Sequence, residues 1–438
     1  MNASTTLDIR SFIDERRMSA NQWALVVLGF LIVAMDGMDV AIMGFVAPSI
    51  TGEWHVSRPE FGFVMGAAPI GLAIGAIFAG SSSDWIGRRK VLLGSVLGFG
   101  LLTIATAYTT SLQSMAVVRL LAGLGLGAAM PNTSTLLTEY VPVRNRSFIV
   151  ATMFTGFNFG SGIIGFVAAS LIPAYGWQSV LLFGGIVPLV MLPVLFLFLP
   201  ESARFMAARG FDPDSIRKVL ARVCKADLGG INSFETREAA PATKQPLAVL
   251  FAKGYALRTA SLWITYFMGL LVIYLTTSWL PTMMKDAGIP ISRAAQVTGL
   301  FQIGGTVGAI VVGFLMDKLL PNRAIALSYF LGGISLILLG TGGVESAYLA
   351  LLVAIVGFFL SGGQTGLNAF APNCYPTIAR ATGTSWMLGV GRLGSILGSS
   401  IGGLLLATGW GFGSIFVGLA IPAALAALAI LFNKRADT

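Results

Sequence analysis

Four charged side chains stand in stretches that are otherwise apolar, and their types define the chemistry open to this chain. Asp36 and Asp39 lie three residues apart in MDGMDVAIMGFVAPSI (35–50), a spacing that puts both carboxyls on one face of a helix. Each costs about 2.5–3.5 kcal/mol near a bilayer centre on insertion scales. Two carboxylates so close in a low dielectric resist ionising together, which suits one of them to taking up and releasing a proton near neutral pH. A capping or inter-helix role for one of them, with Gly37 giving a local kink, is the alternative, and the spacing does not say which Asp would carry the proton. Arg392 sits among glycines in GVGRLG. Its planar fork can hold a substrate carboxylate by two hydrogen bonds, or a standing ion pair with Asp36 or Asp39. Arg119 begins another apolar run, where a side chain can snorkel outward as an interfacial anchor.

Other residues in the apolar runs could shape a ligand site. Phe154, Phe157, Phe159, Tyr266, Tyr274 and Trp386 could stack on an aromatic ring, although core or lipid-facing packing accounts for any one of them. Asn132, Asn158, Gln302 and Asn368 need hydrogen-bond partners wherever they are buried, and could read hydroxyls on such a ring. His55 falls in a polar connection and is expected to be solvated, leaving no histidine for proton relay inside an apolar run. Cys224 and Cys374 have no metal-ligand spacing around them. No metal or other cofactor is expected, the proton serving as coupling ion. The chain has no phosphate-binding loop of the G-x-x-x-x-G-K-[ST] type, no H-E-x-x-H and no G-x-S-x-G, which argues against an ATP-driven pump or an integral-membrane enzyme.

The elements that must position these residues follow from composition. Of 438 residues, 55% are hydrophobic and 11% charged, where soluble proteins carry about a quarter charged; the mean hydropathy is +0.81. A spanning helix needs roughly 20 apolar residues. Apolar stretches fall near 23–47, 60–81, 91–109, 115–138, 147–171 and 179–199, and again near 257–281, 295–316, 324–342, 346–369, 383–407 and 413–432. These predict an all-α integral membrane protein of twelve transmembrane helices. The first 22 residues are polar and mixed in charge and are not expected to act as a signal peptide. The organisation expected is an N-terminal six-helix bundle with a short tail (1–199), a central loop (200–256) and a C-terminal six-helix bundle with a short tail (257–438). With both termini on one side, that side holds 23 of the 28 Lys and Arg residues, including Lys434 and Arg435, and the positive-inside rule makes it the cytoplasm. The net charge of +9 therefore marks topology and anionic lipid rather than nucleic acid.

An offset of 233 residues maps Gly66, Gly71, Gly75, Gly80 and Asp84 onto Gly299, Gly304, Gly308, Gly313 and Asp317. The same offset maps Gly156, Gly165, Gly176 and Trp177 onto Gly389, Gly398, Gly409 and Trp410. Small residues at helical spacing let transmembrane backbones approach closely, and the aligned Asp and Gly-Trp positions point to two pseudo-symmetric six-helix bundles. Such repeats place a binding site near the midplane between the halves, exposed alternately as they rock.

GSSSDWIGRRK (80–90) resembles the loop signature of the major facilitator superfamily, and GFLMDKLLPNR (313–323) is a looser copy without the Gly-Arg-Arg core. RLLAGLGLGAAMP (119–131) is similar to that superfamily's fourth-span motif, and PESARF (200–205) to the close of its sixth span. Within it, MDGMDVAIMGFVAPSI, GFNFGSG (156–162), PAYGW (173–177) and SWMLGVGRLGSILG (385–398) resemble the aromatic acid:proton symporters, which import 4-hydroxybenzoate, protocatechuate and benzoate-type acids. The resemblance implies the major facilitator fold, importance for both Asp36 and Asp39, and a proton-coupling role for Arg119. Asp84, with Gly80, Gly87, Arg88, Arg89 and Lys90, reads as a gate that pairs with cations and helix ends to latch one state. Asp317 would be its counterpart, without the Gly-Arg-Arg core. Glu139, near Arg144 and Arg146, suits a gating ion pair, and Arg380 either a gate or a topology signal. The function expected is proton-coupled import of an aromatic carboxylate by alternating access, in a bacterial inner membrane and by a monomer. A proton symporter of a dicarboxylate or muconate is the alternative, followed by an exporter.

Overall fold

The structure, a computed structural model, describes residues 6–231, 233–235, 246–252, 254–344, 347–375 and 377–433. Lys434, Arg435 and parts of the 200–256 segment lie outside the described residues, as do the surroundings of Gly80. A short strand β1 (Thr6–Asp8) and helix α1 (Ile9–Asp14) precede six long helices: α2 (Ala20–Glu53), α3 (Arg58–Ile86), α4 (Arg88–Thr106), α5 (Leu112–Tyr140), α6 (Val143–Tyr175) and α7 (Gln178–Phe198). Next come α8 (Ala203–Ala208), α9 (Pro213–Cys224), β2 (Ser233–Glu235) and α10 (Pro246–Phe251). Six more long helices follow: α11 (Ala256–Asp286), α12 (Ile291–Lys318), α13 (Pro321–Gly342), α14 (Leu349–Phe370), α15 (Thr377–Ala407) and α16 (Phe412–Leu431). Among the described residues, twelve helices are long and apolar enough to cross a bilayer.

Local signals explain where several helices begin. Ser19 and Gln22 form a reciprocal capping box at α2, and Ser57 and Glu60 form another at α3, each satisfying orphan N–H donors. Several helices overrun the apolar stretches: α2 continues to Glu53 and α6 starts at Val143. Hydropathy marks the hydrocarbon layer, whereas a helix ends where a cap or turn stops it.

The repeat is visible in the packing. Gly71 and Gly75 of α3 lie against the backbone of α5 at Leu120 and Leu124, and Gly304 and Gly308 of α12 lie against α14 at Ala354 and Phe358. Gly176 and Gly409 both adopt positive φ, 79° and 88°, the left-handed conformation that glycine takes at no steric cost. Helices α2 and α6 pack together in the first half as α11 and α15 do in the second. The halves meet along α6 and α12, α3 and α15, and α2 and α11.

The described residues between the halves include regular structure. Strand β1 pairs in parallel with β2, Leu7 opposite Phe234. Ile9, Phe12 and Ile13 bury with Ile216, Leu220 and Val223 of the amphipathic α9. The Asn21 amide donates to the Arg222 carbonyl at 2.6 Å. Residues 6–14 thereby pack beneath the first half, on what we term the terminal side.

The two halves close against each other at the other, distal end. Gly62 and Gly66 pack on Ser400, and Gly165 packs on Ala295. Arg58 is bonded by both terminal nitrogens to Asp286, and Lys285 Nζ donates to the Pro48 carbonyl at 2.6 Å. Among the described residues, these ionic and hydrogen-bonded links between the halves all lie distally.

Candidate functional site

The site is built on α2. Its backbone meets α6 where Gly37 lies against the Phe157 carbonyl group, an approach that a Cβ would block. Ser161 Oγ donates to the Gly37 carbonyl at 2.7 Å. This seam sets Asp36 and Asp39 in the interior, 1% and 0% exposed.

The two carboxyls have different environments. Asp39 is held by Arg119, with Nη2 at 2.7 Å from Oδ2 and Nη1 at 3.0 Å from Oδ1. Arg119 Nη2 also donates to the Asp39 carbonyl at 3.2 Å, and Thr103 Oγ1 donates to Asp39 Oδ1. Arg119 is itself 0% exposed, so the interfacial anchor weighed for it is overturned: its side chain runs inward to a carboxylate rather than out to the headgroups. Asp36 has no protein hydrogen-bond partner at either oxygen. Across the site its charge is opposed by Arg392 of α15, with Asp39 as the like charge. Arg392 makes no ion pair among the described residues, so a standing pair with either Asp is not formed.

Two polar layers surround Asp36. At its depth, Asn158 of α6 faces Gly305, beside Ser361, and Gln302 Nε2 donates to Thr277 Oγ1 at 3.0 Å. Tyr274 lies near both Asp36 and Arg392. One layer towards the terminal side, the Tyr266 ring covers Gly391 next to Arg392, with Gln364 and Asn368 close by. The Tyr329 hydroxyl donates to Gln364 Oε1 at 2.6 Å. Gln302 Oε1, Ser361 Oγ, Gln364 Nε2 and Asn368 Oδ1 are buried without a protein partner, a concentration of orphans that native interiors rarely hold without reason.

Other proposed ligand residues make contacts of their own. Trp386 is 46% exposed and stacks on Trp263 at 5.9 Å, six residues before Arg392 and so on a different face of α15. The Asn132 amide is turned back to its own helix, donating to the Ala128 carbonyl at 2.8 Å. Phe154 and Phe157, partly buried, pack against the hydrophobic cluster shared by α2, α4, α5 and α6, and Phe159 tilts against Phe30. His55 is exposed.

The proposed gating residues form a network inside the first half. Arg88 Nη2 pairs with Asp84 at 2.7 Å, and its Nε lies 3.7 Å from Glu139. The partner expected for Glu139 therefore changes: Arg144 donates to the Arg16 carbonyl and Arg146 to that of Val141, because helix α6 carries both away from the end of α5. Arg89 caps the Phe196 carbonyl. Glu201 seats against Gly87 and accepts from the Arg89 N–H at 3.2 Å, placing an anion at the start of α4, where the helix dipole favours it. Asp317 forms no ion pair among the described residues and is exposed, as is Arg380. The second half thus has no counterpart to the Asp84–Arg88 pair among the described residues.

Sequence reasoning missed Thr103, Ser161, Thr277 and Gln364. Hydroxyl and amide residues in a helix give no directional signal. The distal Arg58, Lys285 and Asp286 were detectable, since cations on that side are few.

The family model described as Major Facilitator Superfamily matches residues 29–377. The chain belongs to the major facilitator superfamily. It is thus a multi-pass membrane transporter and not an enzyme. A gallate transporter of Pseudomonas putida is 54% identical over 98% of this chain and 96% of that protein. The 4-hydroxybenzoate transporter PcaK of Pseudomonas putida is 45% identical over 97% of this chain and 95% of its own length. Among solved structures, a partially occluded inward-open form of the xylose transporter XylE of Escherichia coli superposes with a TM-score of 0.75 at 16% identity, covering 96% of this chain and 99% of that one.

Proposed function

We propose that the protein imports an aromatic carboxylate of the gallate and 4-hydroxybenzoate class together with a proton. On this reading it works as a monomer in a bacterial inner membrane, with its terminal side in the cytoplasm. The distal closure then makes this a state shut toward the outside. One observation carries the reading: Asp39 and Arg119 neutralise each other by a bidentate pair, leaving Asp36 without a hydrogen-bond partner and opposed by Arg392, a cation without an ion pair among the described residues. The full-length similarity to a gallate and a 4-hydroxybenzoate transporter supports the substrate class.

The coupling follows from electrostatics. A buried carboxylate without hydrogen bonds depends on a nearby cation to offset its desolvation. A substrate carboxylate bound bidentately by Arg392 takes over that cation, and Asp36 then keeps its place in the interior by holding a proton. Anion and proton thus occupy the site together, and their net charge is zero. The loaded site has no uncompensated charge to carry between the two faces. After release of the acid to the cytoplasm, Asp36 gives up its proton and faces Arg392 again.

Uptake of labelled gallate and 4-hydroxybenzoate into proteoliposomes tests this, with and without an inside-alkaline pH gradient. Accumulation that needs the gradient and collapses with a protonophore is expected. Uptake that only equilibrates would remove the proton from the cycle, and transport of dicarboxylates alone would remove the aromatic substrate.

A further inference from the structure

We propose that Gln302, held in place by Thr277, reads a phenolic hydroxyl and selects ring-hydroxylated benzoates over benzoate itself. The inference rests on the aromatic-carboxylate reading of the site and deepens it.

Gln302 is 1% exposed, on α12 at the depth of Asp36. Its amide has two ends, and only one is used: Nε2 donates to Thr277 Oγ1 at 3.0 Å, while Oε1 is buried with no protein partner. In this arrangement the Thr277 hydroxyl accepts from Nε2, and Oε1 is the free end. The free end is an acceptor, so the group it asks for is a donor. A carboxylate offers no donor and neither does an unsubstituted ring edge. A phenolic O–H does, and it is neutral, so pairing it costs no charge burial. The position of Thr277 is fixed in turn, because its carbonyl lies against Gly44 in the seam between α2 and α11. Gln364 has the opposite polarity: Oε1 accepts from Tyr329 and Nε2 is free. It offers a donor to a hydroxyl oxygen on the terminal side of the site. Benzoate would occupy the same place while leaving the Gln302 acceptor unpaired and dry, and a site built to pair a substrate hydroxyl discriminates strongly against the analogue that lacks it.

The test uses purified full-length protein and direct binding of benzoate, 3-hydroxybenzoate, 4-hydroxybenzoate and 3,4-dihydroxybenzoate. Wild type should prefer at least one hydroxylated acid to benzoate by about tenfold to a hundredfold. Gln302→Leu should lose that preference through weaker binding of the hydroxylated acid, with benzoate affinity unchanged or improved. Thr277→Val, which frees the amide to rotate, should give a smaller loss of the same ratio, a readout that a purely structural role for Thr277 would leave unmoved. Equal weakening of all four acids by Gln302→Leu, or an unaltered ratio, overturns the inference while leaving aromatic-acid transport standing. A wild-type protein that binds dicarboxylates but none of the four acids overturns both.

Discussion

On the proposed reading, replacing Asp36 by Asn separates coupling from folding. Asn has nearly the shape of a protonated Asp, and neither Asp36 oxygen has a protein hydrogen bond to lose. The folded protein should therefore survive with its melting temperature close to wild type. What is removed is the capacity to pick up and release a proton beside Arg392. In a cycle carrying one proton per monoanion, a gradient of one pH unit is worth about 1.4 kcal/mol and supports roughly tenfold accumulation. Asp36→Asn should reduce that ratio to about one. Exchange of internal for external labelled acid needs no net proton movement, so it should persist. The assay is paired: accumulation and exchange in the same proteoliposomes, at equal protein density. A variant that still accumulates acid tenfold would refute the assignment of the proton to Asp36, whatever happens to exchange.

Asp39→Asn should behave differently, because it leaves the buried Arg119 guanidinium facing a neutral amide; breaking such a pair costs about 3–5 kcal/mol, readable as a large drop in melting temperature and in folded yield. Arg392→Ala should raise the dissociation constant for the acid by at least tenfold without a comparable stability loss, and Arg392→Lys, a point charge without the fork, should restore only part of the affinity. At the distal end, the half-exposed Arg58–Asp286 pair is worth about 1 kcal/mol or less. Arg58→Ala should therefore shift the population toward distal opening by no more than about fivefold, measured as the labelling rate of a cysteine at Thr51 in a protein with Cys224 and Cys374 replaced by serine.

The parts of this protein that the sequence made legible are those governed by one-dimensional rules. Twelve apolar runs translate into twelve helices because a bilayer leaves the backbone few alternatives. The offset repeat survives as matched glycine contacts because close helix approach leaves no room for a side chain. Asp36 and Arg392 were conspicuous because charge is costly in that setting. Pairing was less legible, since it depends on how helices cross. Arg119 and Asp39 are 80 residues apart, and only the packing of α2 against α5 decides that the guanidinium reaches inward. The same limit explains Glu139, whose partner proved to be Arg88 of α4 rather than a nearby arginine in sequence. Trp386 shows the limit of aromatic content as a guide: its helix carries Arg392 on another face. The strand pairing of residues 6–8 with 233–235 had no local signal at all, because each strand is three residues long.

The sharing of tasks along α2 bears on how binding could move the halves. The helix carries Asp36 in the interior, meets α11 at Gly44, where the Thr277 and Ser278 backbone lies against it, and reaches the Lys285 contact at Pro48. Twelve residues separate Asp36 from Pro48, about 18 Å of helix. The proposed proton site, the Thr277 residue proposed to orient Gln302, and the distal closure therefore lie along one seam between two helices, one from each half. A ligand that touches both Arg392 and Gln302 bonds to α15 and α12 of the second half while changing the charge facing α2 of the first. Its binding energy depends on how the halves are disposed, and only a ligand with such a difference can shift a conformational equilibrium. An acid without the hydroxyl would still neutralise Arg392 but lose its hold on α12. It should bind more weakly and also promote turnover less, so exchange rates at saturating benzoate should fall below those at saturating 4-hydroxybenzoate. Equal saturating rates for the two acids would mean that the hydroxyl contact serves recognition alone and does not contribute to moving the halves.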